Sequence, residues 1–102
     1  MSQPATQSVA PQFQVGDRVR VRAAYPLGHL RTPYYIRGHS GVVERLCGAY
    51  PNPEELAHAR NGLPAQPLYR VRFSQREVWP DYCGPTQDTV DLEIYQHWLE
   101  PA

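Results

Sequence analysis

The sequence contains no lysine. All ten of its basic residues are arginine, and ten aspartate and glutamate residues balance them, so the formal net charge is zero. That neutrality argues against a sequence-independent nucleic-acid binder, which carries a basic surplus to neutralise phosphates. Cysteine is scarce. Cys47 and Cys83 lie far apart and form neither a Cys-x-x-Cys pair nor a Cys/His zinc pattern. They are expected to be reduced and partly buried thiols. No stretch approaches the roughly 20 apolar residues of a membrane span. The first residues lack the basic start and apolar run of a secretory signal, so a cytoplasmic protein with no membrane partner is expected. There is no glycine-rich phosphate loop. His29, His39, His58 and His97 show no i, i+4 pairing and no acidic neighbour at zinc-site spacing. No nucleophile stands beside a base. A self-contained active site is therefore not expected, and any share in catalysis would come from lending groups to a site on another chain.

What is present reads as short strands and turns. Eleven prolines and seven glycines in 102 residues rule out an architecture of long helices. The length suits one domain with a small core. Residues 1–12 are uncharged and rich in Ser, Gln, Ala and Pro, which predicts a flexible tail. The domain proper is expected over 13–102.

The first strand is expected from Phe13, Val15, Val19 and Val21, inward on alternate positions. Arg18, Arg20 and Arg22 fall on the outer face and await acidic partners across the sheet. A second strand is read over Ser40–Leu46, with Gly41 marking a bulge or a close backbone approach. Asn52, Pro53 and Glu55 form the start of a short inserted helix that Asn61-Gly62 would end, and His58 on it is read as solvated. Leu68–Phe73 is the clearest strand. Arg76–Trp79 reads as its hairpin return, stopped by Pro80. Thr89–Ile94 is the last strand, with Asp91 and Glu93 facing out to answer the arginines of a neighbour. Tyr95–Leu99 reads as a terminal helical turn whose Trp98 and Leu99 plug one end of the core. Together these predict an all-β fold: a small, partly open five-stranded barrel with a short helical insertion. Such a barrel is a scaffold and implies no reaction by itself.

One stretch does not look like ordinary scaffolding. Gly28-His29-Leu30-Arg31-Thr32-Pro33-Tyr34-Tyr35-Ile36-Arg37-Gly38 is too long for a tight hairpin turn and has no helical apolar period. Pro33 fixes its own φ and drives Thr32 towards extended geometry, while the two glycines permit sharp turns at either end. A stiff segment bearing Arg31 and Arg37 can aim a planar guanidinium fork at an oxyanion. The same aromatic, proline-containing segment can also fold back and close a barrel, and local chemistry leaves both readings open.

The run Phe13-Gln14-Val15-Gly16-Asp17-Arg18-Val19-Arg20-Val21-Arg22, followed by Gly28–Gly38, resembles the start of the C-terminal domain of nitrile hydratase β subunits. Leu68–Phe73, Val90–Tyr95 and the closing Trp98-Leu99-Glu100-Pro101-Ala102 continue the likeness over nearly everything after the tail. The resemblance implies an SH3-like barrel and a place in an enzyme that hydrates small nitriles to amides. In that family the metal, Co(III) or Fe(III), is held by the α-type subunit. Its Cys-x-x-Cys-Ser-Cys claw has two cysteines oxidised to sulfinate and sulfenate. Lacking the claw, this chain is expected to bind no metal or other cofactor itself.

The family's β subunit directs two arginines at the oxidised cysteines. The one in the Gly-His-x-Arg segment matches Arg31. His29, Tyr34 and Arg37 are further candidates for the contact between subunits or the pocket rim. The likeness does not extend to the family's helical N-terminal half, which holds the second arginine, so a separate chain equivalent to that half is expected as a partner beside the claw-bearing subunit. Trp79-Pro80-Asp81-Tyr82 is similar instead to the small subunit of thiocyanate hydrolase, where the β halves are separate chains. That assignment is the first alternative. A stand-alone protein-binding or assembly module is the second.

Overall fold

The computed structural model describes residues 9–23, 34–57, 61 and 63–102. Five antiparallel strands form one sheet: β1 (Arg18–Val21), β2 (Ser40–Tyr50), β3 (Gln66–Ser74), β4 (Thr89–Tyr95) and β5 (Leu99–Pro101). The sheet runs in the order β4-β3-β2-β1-β5. It curls into a small open barrel around Val19, Val21, Ile36, Val43, Tyr69, Val71, Phe73, Ile94 and Trp98, all buried. Two short helices, α1 (Pro53–Ala57) and α2 (Gln75–Val78), lie in the connections. The all-β, partly open barrel with a helical insertion is therefore what the chain forms.

The alternation of arginine and valine in β1 works as expected: Val19 and Val21 are fully buried and the arginines face out. Cross-strand acids answer the arginines in register. Arg20 meets Glu100 at 2.8 Å across β1 and β5. Arg70 meets Glu93 at 3.8 Å and Arg72 meets Asp91 at 3.4 Å across β3 and β4. These exposed pairs each add about 0.2–1 kcal/mol and chiefly fix register. Gly41 is a close approach. A Cβ there would lie 2.6 Å from the Arg72 carbonyl and 2.9 Å from the Phe73 ring.

Several expectations are corrected. Val15 does not point inward but is 70% exposed. A turn over residues 14–17 intervenes, with the Asp17 carboxylate accepting the Gln14 amide and Gly16 at φ 95°. Arg76–Trp79 is not a strand. Gln75–Val78 forms the single turn α2, the Trp79 amide reaches the Gln75 carbonyl, and only Val78 turns inward. β4 pairs directly with β3, so 75–88 is the connection between them. The fifth strand is instead Leu99–Pro101, set against β1. The terminal helical turn is a 3-10 turn, Gln96–Trp98, with Trp98 and Leu99 buried as expected. Both cysteines are free, but Cys83 is exposed. Asn52 does cap α1, its Oδ1 accepting the Glu54 amide at 3.0 Å. The expected end of that helix at Asn61-Gly62, like His58, lies outside the described residues.

Residues 9–12, read from sequence as part of the tail, are fastened to the barrel by a buried polar cluster. The Tyr69 hydroxyl donates to Gln96 Oε1 at 2.7 Å and accepts the Phe13 amide at 3.3 Å. Gln96 Oε1 also accepts the Gln12 amide at 2.8 Å, and its Nε2 donates to the Ala10 carbonyl at 3.1 Å. Tyr69→Phe takes the shared hydroxyl out of this buried cluster, which costs about 1–3 kcal/mol. Thermal denaturation of the variant should show a midpoint lower by roughly 4–8 °C for each kcal/mol. An unchanged midpoint would mean that the cluster contributes nothing.

Candidate functional site

The connection between β1 and β2 contains the segment singled out by sequence. Ala24–Pro33 lies outside the described residues, and with it Arg31 and His29. Of Tyr34, only the backbone is described. What is described is how the connection begins and ends, and both ends meet at the same place on the barrel.

At its start, the Arg22 amide donates to the Trp98 carbonyl at 2.9 Å and the Arg22 guanidinium donates to the His97 carbonyl at 3.0 Å. At its end, a 3-10 turn over Tyr34–Ile36 drives Ile36 fully into the core. Burial of one isoleucine is worth roughly 1.5–3 kcal/mol, enough to hold a single turn that propensity alone would not. Gly38, at φ 85°, reverses the chain so that its amide reaches the Val21 carbonyl at 2.8 Å. The Val21 amide in turn reaches the His39 carbonyl at 2.9 Å. Beside these bonds the Arg37 guanidinium lies 4.8 Å from the centre of the Trp98 ring. Arg37 thus rests on the indole of its own chain.

The dipeptide His97-Trp98 therefore touches both ends of the connection, and it is itself held from outside the sheet. Glu54 Oε1, on α1, accepts from His97 Nε2 at 2.6 Å and from Trp98 Nε1 at 3.4 Å. An ionised carboxylate only accepts, so Nε2 carries the hydrogen in this pair. His97 Nδ1 is buried without a hydrogen-bond partner among the described residues. Sequence reasoning missed Glu54 and His97. They stand 43 residues apart, and no local spacing could have joined them. Trp98 was visible only as a core plug.

On the other side of the turn, Tyr35 stacks on Trp79 at 5.4 Å with both rings partly exposed. The loop beyond Trp79 is braced by a hydrogen bond from the Tyr82 hydroxyl to Asp88. That bond, together with desolvation, raises the Tyr82 pKa above its ordinary value. Among the described residues, no three His, Cys, Asp or Glu side chains converge as a metal site. No helix there is long and apolar enough to cross a membrane. The chemistry on offer is that of a rigid mount.

Comparison with known proteins gives the mount a context. The family description "Nitrile hydratase beta subunit, C-terminal" matches residues 2–101. The nitrile hydratase β subunit of Pseudomonas chlororaphis is 39% identical over 93 residues, covering 90% of this chain and 41% of that protein. The β subunit of the cobalt-containing nitrile hydratase of Pseudonocardia thermophila is 40% identical over 99 residues, covering 93% of this chain and 40% of that protein. The chain thus spans about two-fifths of the length of these relatives. The α subunit of Thiobacillus thioparus thiocyanate hydrolase is 36% identical over 92 residues, 89% of this chain and 72% of that one. A solved structure of the recombinant apo-enzyme of Thiobacillus thioparus thiocyanate hydrolase superposes with a TM-score of 0.87 at 33% identity. It covers 94% of this chain and 80% of its own.

Replacing Arg37 by alanine removes the guanidinium from the Trp98 face. The loss is expected to be about 0.5–2 kcal/mol, since the ring is largely desolvated. Chemical denaturation of Arg37→Ala and Arg37→Lys would check this, with lysine keeping part of the stability. Equal stability of Arg37→Ala and the unaltered chain would remove the contact from the mount.

Proposed function

Because the chain belongs to the family formed by the C-terminal part of nitrile hydratase β subunits, we propose that it is the non-metal-binding barrel of a heteromeric nitrile hydratase, where it presents Arg31 to the oxidised-cysteine metal centre of a claw-bearing α-type subunit. One observation carries this reading. The family match runs through the Gly-His-x-Arg segment, and the β1–β2 connection that contains this segment is fixed to the barrel on either side of it, at Arg22 and at Arg37-Gly38. A guanidinium three residues before an anchored turn starts from a defined base.

In this reading the metal, Co(III) or Fe(III), belongs to the partner and supplies Lewis acidity towards a small nitrile when bound. This chain does something different. The Arg31 fork gives charge-assisted hydrogen bonds to sulfinate and sulfenate oxygens, which holds them ionised and fixes their direction. Lysine would not replace it, because a point charge on a flexible stem cannot make two parallel bonds. His29 and Tyr34 border the same segment and are assigned to the rim of the contact between subunits. The helical N-terminal part of the family's β subunit belongs to the same assembly, which works in the cytoplasm.

A second reading, as the corresponding subunit of a thiocyanate hydrolase, is supported by the likeness in sequence and structure to that enzyme. Turnover of a small aliphatic nitrile against thiocyanate by the assembled complex separates the two.

For either substrate, Arg31→Ala should lower turnover by about 10- to 100-fold or more. Because Arg31 is assigned outside the core, stability of the chain should shift by no more than about 0.5 kcal/mol. Full turnover by Arg31→Ala in the intact complex would end this account of its role.

A further inference from the structure

Glu54 is placed by α1, a five-residue helix inserted between β2 and β3, yet its carboxylate faces the 3-10 turn near the other end of the chain. There it takes hydrogens from two adjacent side chains, His97 and Trp98. Those two residues touch both ends of the β1–β2 connection. Their carbonyls receive Arg22 at its start, and the Trp98 ring carries Arg37 at its end. A single carboxylate thus orients the two groups on which both ends of the connection rest. The His97 and Glu54 side chains are about one-quarter and one-fifth exposed, 24% and 18%, so the pair is shielded from much of the screening that weakens surface pairs.

We propose that Glu54 is a positioning residue: acting through His97 and Trp98, it locks both feet of the β1–β2 connection and thereby sets the aim of Arg31. The proposal rests on the reading of Arg31 given above. Glu54 touches neither substrate nor metal in it. Its action is geometric. Without the carboxylate, the indole and imidazole lose their shared acceptor, the imidazole is free to turn, and the platform under Arg37 shifts within the packing that remains. A tilt at the feet is magnified at a residue several positions away, and a displacement of about 1 Å in a reacting geometry can cost on the order of a hundredfold in rate.

The test uses the full chain, alone and in its assembled complex, as E54A and E54Q. Hydrogen exchange should quicken at the Arg22 and Gly38 amides by about tenfold or more in E54A, while the Val71 amide at the centre of β3 keeps its protection. E54Q, which retains one acceptor oxygen, should fall between E54A and the unaltered chain. In the complex, E54A should lower kcat by about 10- to 100-fold with KM nearly constant, and E54Q should recover part of it. Unchanged exchange at Arg22 and Gly38, or an equal rise at Val71, would overturn the proposal, because Glu54 would then hold nothing in particular or only the whole fold. If exchange rises but kcat holds, Arg31→Ala decides what has failed. A large loss with Arg31→Ala alone overturns the positioning role of Glu54, whereas no loss with either variant overturns the reading of Arg31.

Discussion

Three residues near the end of the chain, Gln96–Trp98, hold most of what the sheet itself does not. Gln96 ties down the chain before β1 through Tyr69 and two backbone groups. His97 receives α1 through Glu54. Trp98 closes the core and supports Arg37, and its carbonyl receives Arg22. The turn carries this load because it is buried between β4 and β5 where the barrel is open. Gln96 and His97 Nε2 are paired there with the chain segments that cover the gap, which spares the cost of about 1–3 kcal/mol for an unpaired buried donor or acceptor. The N-terminal segment, α1 and both ends of the β1–β2 connection come together there. A small open barrel thus holds both ends of a long connection at one place.

The zero net charge has a matching structural account. The arginines of β1 and β3 alternate with core residues, and the acids of β4 and β5 stand opposite them. The surface therefore uses its charge to set register between strands. Arg37 seats its guanidinium on an aromatic face. Arginine suits both uses, since its guanidinium pairs in plane with carboxylates and stacks on rings, which lysine does poorly. Arginine alone among lysine and arginine thus supplies the pairing chemistry of the strands.

Much of this architecture was legible in the sequence. Period-two patterns of arginine against valine or tyrosine located the central strands, and Asn52-Pro53 located the start of α1. Gly41 betrayed a close approach, because no other residue fits against the Arg72 carbonyl. The failures came where the pattern was too short to carry a period. Arg76–Trp79 offers four residues, which alternation and a single helical turn fit equally well, and Val78 turning inward is compatible with both. Leu99–Pro101 is a strand only because β1 lies beside it. Val15 follows the alternation of β1 but is cut off by the turn at Asp17. The segment bearing Arg31 stood out by composition, and the role proposed for Arg31 comes from the family likeness alone. The Glu54–His97 pair could not be read at all. It depends on a contact between distant parts of the chain, which no local pattern records.

The central claim is that this barrel gives one guanidinium to oxygenated thiolates on another subunit. A high-resolution structure of the assembled complex, with its metal in place, tests it most directly. The account predicts Arg31 nitrogens about 2.7–2.9 Å from sulfinate and sulfenate oxygens of the partner's claw. Arg31 turned to bulk water, or paired within its own barrel, would contradict it.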